Sequence, residues 1–175
     1  MSVIVEFRVP STDFELGRIL TVEGMSSIEL ESLVPTGDAA VPLFWIQDSP
    51  RDSFLERIKR HPTVNDASVV DTFEDRTLFT LDWDAERDRV FEGISKHDGQ
   101  LLSALGTSES WEFELRVASH DTLSDFMAYC EEANLPLTIT RVYNPTKPDA
   151  GPWYGLTEPQ REAMVLAVQM GYYDI

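Results

Sequence analysis

Hydrophobic and polar residues alternate with a period of two in several short stretches. Val3, Val5, Phe7 and Val9 fall on one side of an extended chain, and Ile4, Glu6 and Arg8 on the other. This predicts a half-buried strand over Ser2–Val9, closed by Pro10. Trp111, Phe113, Leu115 and Val117 alternate in the same way with Glu112, Glu114 and Arg116. Alternation through Ile28 and Leu30 predicts a strand over Ser27–Val34 that stops at Pro35-Thr36-Gly37, and the apolar run Val41–Gln47 predicts a buried one. Asp66–Thr72 and Arg76–Trp83 flank a polar turn; Leu101–Leu105 and Leu137–Tyr143 add two more strands.

Helical spacing fills the gaps. Ser11 or Thr12 is the expected cap of a short helix through Phe14 and Leu16, weakened by Gly17. Ser49, with Pro50 at the first helical position, opens a helix that buries Phe54, Leu55 and Ile58 and ends near His61-Pro62. Asp84 is the expected cap of a helix burying Val90, Phe91 and Ile94, which ends near His97-Asp98-Gly99. Ser119 or Asp121 caps the next, which carries Leu123, Phe126, Met127 and Cys130 and ends at Asn134, before Pro136.

After the first two strands the order is β-α-β-β-α-β-β-α-β. It predicts an α+β fold, an antiparallel sheet with helices packed on it, built from ferredoxin-like or ACT-like β-α-β-β-α-β repeats. Residues 42–106 fit one split β-α-β unit, and residues 100–144 a further β-β-α-β piece. Such folds occur in ligand sensors and in proteins with no ligand, so the fold alone does not give function. Residues 1–143 read as one α+β body. Residues 144–155 read as a linker, since Asn144–Pro152 holds three prolines and a glycine. Residues 156–175 read as a last helix.

Charge narrows the function. The chain has 31 acidic and 14 basic residues, a net charge of −17. The acids are scattered with no block of five or six, which fits a salt-adapted surface better than an acidic tail. DNA affinity rests on neutralising phosphates with Lys and Arg, and no basic patch is present. DNA contact is therefore expected only from residues beyond this chain. Cys130 is the single cysteine, so no disulfide framework exists. On an apolar helix stripe it reads as a small core residue and not a redox sensor. No leader or membrane-spanning run is visible, and the chain reads as cytoplasmic.

Candidate chemistry is sparse. His61, His97 and His120 sit at predicted helix ends and lack metal-ligand spacing, so no metal is expected. The acids from Asp71 to Glu86 lack a calcium-loop pattern and read as a solvated face. No phosphate loop, nucleophile elbow or triad appears, so neither an enzyme nor a cofactor is expected. Trp45, Trp83 and Trp111 read as core or sheet-face residues. Trp153, after the linker, is expected to dock the last helix against the body.

The last helix carries the specific signal. Thr157 and Gln160 form a capping box, Pro159 suits the first turn, and Gly171 suits the stop. Leu156-Thr157, then Gln160-Arg161-Glu162-Ala163, then Gly171-Tyr172-Tyr173-Asp174-Ile175 resembles the opening of the helix-turn-helix domain of bacterio-opsin-activator-like regulators of halophilic archaea. The resemblance implies a transcription regulator in which residues 1–143 are the regulatory body, for sensing or dimerisation, and Leu156, Thr157, Gln160, Arg161, Ala163, Gly171 and Tyr172 begin the DNA-binding domain. The recognition helix is expected after Ile175. It also implies a homodimer and an unknown small-molecule effector. The alternative is a stand-alone small-molecule-binding or interaction module without DNA binding.

Overall fold

The alternating stretches become strands, and in one of them Trp111, Phe113, Leu115 and Val117 are buried on one side while Glu112 is exposed on the other. The computed structural model describes residues 1–21, 27–36, 39–47 and 51–145. They run β1 (Val3–Pro10), α1 (Glu15–Leu20), β2 (Ser27–Thr36), β3 (Ala39–Gln47), α2 (Arg51–Lys59), β4 (Val64–Thr72) and β5 (Arg76–Trp83). A 3-10 turn at Ala85–Arg87 leads to α3 (Arg89–Lys96), β6 (Gln100–Gly106), β7 (Ser110–Val117), α4 (His120–Glu132) and β8 (Thr138–Tyr143). The strands form one eight-stranded sheet in the order β4-β5-β3-β2-β6-β7-β1-β8. Every pairing is antiparallel. This is the mixed class the pattern predicts, an antiparallel sheet with helices.

The order of strands departs from the expected repeat. A unit over residues 42–106 would place β6 beside β3, but β2 lies there and β6 lies beyond it. The reason is local. Two residues separate β2 from β3, so their hairpin closes at small entropic cost and pairs from Ser27↔Gln47 to Thr36↔Ala39. The sheet therefore reads as two four-strand halves, β4-β5-β3-β2 and β6-β7-β1-β8. Among the described residues, the strand pairs Ile28↔Gly106 and Glu29↔Leu105 join them.

Antiparallel partners share a face, so the registers sort the side chains across the whole sheet. One row runs Val9, Trp111, Gly106, Ile28, Ile46, Thr77. Most of this face is buried in a single core with residues of all four helices. Phe126 of α4 packs on Phe7 at 5.7 Å, Phe54 of α2 on Phe79 at 5.5 Å, and Phe14, just before α1, on Phe113 at 5.6 Å. The row on the opposite face runs Thr138, Arg8, Glu112, Leu105, Glu29, Trp45, Leu78, Asp71. The residues of the four helices that are buried lie in the core on the first face, and none of the described helices packs on the second.

Two capping expectations are corrected. Asp84 precedes only the 3-10 turn and makes no capping bond; its carboxylate pairs with Arg87 at 2.9 Å. The cap of α3 is Asp88, whose carboxylate accepts from the Val90 and Phe91 N–H groups. Neither Ser11 nor Thr12 caps α1. The buried Ser11 hydroxyl donates to the Thr107 carbonyl, and Phe14 occupies the cap position with no side-chain bond. Ser119 does cap α4, accepting from Thr122 N–H at 3.1 Å. At the end of α3 the left-handed conformation is taken by Asp98 (φ 49°), and after α4 by Asn134 (φ 52°). Ser49 and Pro50 lie outside the described residues.

Candidate functional site

The face of the sheet without described helices carries the densest polar network. Arg8 on β1 pairs with Glu112 on β7, and Arg141 on β8 approaches Glu6 at 3.6 Å. The Arg141 guanidinium also stacks over the Tyr143 ring at 4.7 Å. The Tyr143 hydroxyl donates to Glu114 at 2.6 Å, and the Ser103 hydroxyl donates to the same carboxylate at 3.4 Å. The bond to Glu114, then partial burial, pushes the Tyr143 phenol up to about 12. Glu6, Arg8, Ser103, Glu112 and Glu114 line a shallow groove of about 450 Å³ together with Leu105 and Thr140. Three carboxylates and one guanidinium meet there, and each is already engaged: Arg8 with Glu112, Glu6 with Arg141, and Glu114 with Tyr143. The arrangement is a polar surface whose carboxylates are paired with neighbouring Arg and Tyr side chains.

Further along the same face, Trp45 packs against Phe73 at 5.7 Å, and the Arg76 guanidinium lies 4.8 Å over its ring. Trp111 is wholly buried in the core, and Trp83 is nearly so, edge-on to Phe91 at 5.3 Å. The three tryptophans thus divide between core and sheet face. They do not converge on one pocket.

The histidines are separate from one another in role. His97 caps the end of α3, with Nδ1 2.8 Å from the Gly93 carbonyl and its ring edge-on to Phe126 and Tyr129. His61 follows α2, 2.8 Å from the Thr63 hydroxyl and 4.0 Å from Glu15. His120 is the first residue of α4. Among the described residues no group of three or more His, Cys, Asp or Glu side chains is placed to hold a metal ion. Cys130 is buried on α4, and burial pushes its thiol up to about 11, the opposite of a reactive thiolate.

One buried acid escaped the sequence reading. Asp88 is fully enclosed, and its Oδ2 accepts from Leu16 N–H of α1 at 2.7 Å while Oδ1 serves α3. Burial pushes its carboxyl up to about 6 against the three backbone donors that pull it down. Its only sequence signal was a position just ahead of the apolar stripe that starts at Val90. The neighbouring Asp84 offered the same signal.

The residues that carried the resemblance, Leu156, Thr157, Gln160, Arg161, Ala163, Gly171 and Tyr172, lie outside the described residues, and so does Trp153. The sequence up to Tyr143 provides an independent comparison. Residues 2–141 match the family described as BAT, the GAF and HTH_10 associated domain. The chain belongs to this family. The BAT match reaches from the residue before β1 into β8, so it takes in both halves of the sheet. It rests on residues that do not overlap with Leu156–Ile175, yet both point to helix-turn-helix regulators. The BAT domain is associated with GAF and helix-turn-helix regulators, which indicates a regulatory role. No curated protein matches the chain. Among the described residues of this BAT domain, no helix is long and apolar enough to cross a membrane.

Proposed function

We propose that this BAT domain is the sensing or assembly part of a cytoplasmic, homodimeric transcription regulator from a halophilic archaeon, and that it has no enzymatic role. The match of residues 2–141 carries the reading, since it names a domain found beside helix-turn-helix modules. The net charge of −17 supports a division of labour in which residues 1–143 do not touch DNA and helix-turn-helix residues elsewhere do. Leu156–Tyr172 supply the start of that module, and residues 144–155 couple it to the sheet. The strand orders support two ferredoxin-like units. One runs β3-α2-β4-β5 with β2 alongside; the other is β1-α3-β6-β7-α4-β8, interrupted after β1 by the first.

The test is occupancy of the genome by the tagged native protein, measured by cross-linking and immunoprecipitation. Enrichment at a set of promoters is the expected result, and a flat profile refutes the regulator. A flat profile would favour the second reading, a stand-alone small-molecule-binding or interaction module. That reading draws on the polar groove beside Arg8 and Glu114. Thermal-shift screening against metabolites then detects its ligand, because binding to the folded state alone raises the melting temperature.

A further inference from the structure

The sheet has two ends, and they differ. At one end β4 carries Asp66 and Asp71 and two register shifts, the devices that keep a strand edge from pairing with another chain. At the other end β8 reads Thr-Ile-Thr-Arg-Val-Tyr, with no carboxylate in a chain of net charge −17. Among the described residues no strand pairs with the outer edge of β8.

β8 also has a register shift, and it has a specific effect. Ile139 pairs with Phe7 and Val142 with Val5, so both face the helix side although three positions separate them. In a regular strand they would face opposite sides. Both remain open, Ile139 at 37% and Val142 at 42% exposure. Beside them, α4 and the residues after it form an apolar groove of about 680 Å³ lined by Leu123, Met127, Leu135, Leu137 and Ile139.

We propose that β8 is the homodimer interface, pairing antiparallel with β8 of a second copy about a two-fold axis between Thr140 and Arg141. This rests on the dimeric reading above and adds the surface to it. The register is self-complementary. Such an axis sets Ile139 opposite the second copy's Val142, both on the helix side, and repeats the contact by symmetry. It also sets Thr138 opposite Tyr143. Their partners on β1, Arg8 and Ile4, place both on the other face. Faces therefore match at both pairs, and the register shift makes this possible. The apolar strip so formed runs into the two α4 grooves, and two acidic chains meet where neither carries an acid.

Where the chain goes next favours a second copy over an unrelated extended peptide. Asn144 follows β8 directly. Tyr143 lies two and a half residues from the axis, so the two chains leave β8 about 17 Å apart along the strand direction at ~3.4 Å per residue. Half-sites read by a helix-turn-helix dimer are about 34 Å apart. Twelve linker residues on each side cover the remaining distance with ease.

The full chain is to be sedimented beside two double variants. The mass of a dimer is expected for the unaltered chain. Ile139→Glu with Val142→Glu places like charges opposite and is expected to give the mass of one chain. Ile139→Lys with Val142→Glu places opposite charges across the axis and is expected to restore the dimer. If the first variant does not fold, Thr138→Cys with Tyr143→Cys decides: a short bis-maleimide is expected to link two chains. An unaltered chain that sediments as a monomer overturns the proposal and the dimeric reading together, leaving β8 open to a peptide of another protein. A dimer that withstands both glutamates and does not cross-link overturns this surface alone.

Discussion

Replacing Asp88 with alanine tests whether one buried carboxylate holds the ends of two helices. Its Oδ1 receives Val90 N–H at 3.0 Å and Phe91 N–H at 3.4 Å, and its Oδ2 receives Leu16 N–H at 2.7 Å. Loss of the cap on α3 costs about 1 kcal/mol. Leu16 N–H, buried and deprived of its acceptor, costs about 1–3 kcal/mol more. Relief of the carboxylate's own desolvation offsets part of this, so Asp88→Ala is expected to lose about 2–3 kcal/mol near neutral pH. Urea unfolding of the whole chain, extrapolated linearly, measures it. Asp84→Ala is the control. That side chain makes only an exposed pair with Arg87, so its loss is expected to stay within about 0.5 kcal/mol. A cost for Asp88→Ala no larger than for Asp84→Ala would refute the two-helix role.

The same carboxyl gives a pH signature. Its pKa is raised from 3.8 to about 6 in the fold. The folded state therefore binds the proton more tightly than the unfolded one between these values. The stability linked to that proton is fully present below about pH 4 and lost as pH rises through about 6, by roughly 3 kcal/mol. Asp88→Asn removes the titration and is expected to flatten this fall. Equal slopes in the two proteins between pH 4 and 6 would contradict the assignment.

Three further outcomes follow from the structure. Cys130, buried with its thiol raised to about 11, is expected to resist iodoacetamide in the native protein and react once the chain is unfolded; rapid native labelling would contradict its placement. Gly106 lies beneath the Trp111 indole, where an added Cβ would overlap the ring, so Gly106→Ala is expected to destabilise the protein by about 1–3 kcal/mol and shift tryptophan emission. With a net charge of −17, the melting temperature is expected to rise between about 0.1 M and about 2 M KCl as repulsion is screened; a flat or falling curve counts against salt adaptation.

The parts that were legible in the sequence share a cause. Wherever a strand buries one face, its side chains must alternate, and the pattern is written residue by residue. Trp111 to Val117 shows this most plainly, with Trp111, Phe113, Leu115 and Val117 all in the core. The cap on α4 was equally local, since Ser119 acts on a residue three positions away. Asp88 was not legible because half of its role lies with Leu16, 72 positions earlier. From sequence alone Asp84 and Asp88 are equivalent acids ahead of one apolar stripe, and tertiary enclosure separates them.

The site shows the same division. The helix-turn-helix resemblance and the match of residues 2–141 come from sequence, and together they set the regulatory class. Periodicity also determined the elements, their inward faces and the antiparallel class, because each depends on contacts or burial within a few residues. The tertiary structure alone decided that β2 takes the place beside β3, that β1 enters the far half between β7 and β8, and that β8 ends the sheet. Strand order is a choice among long-range pairings of similar strands, and no single strand's pattern records which partner it will meet.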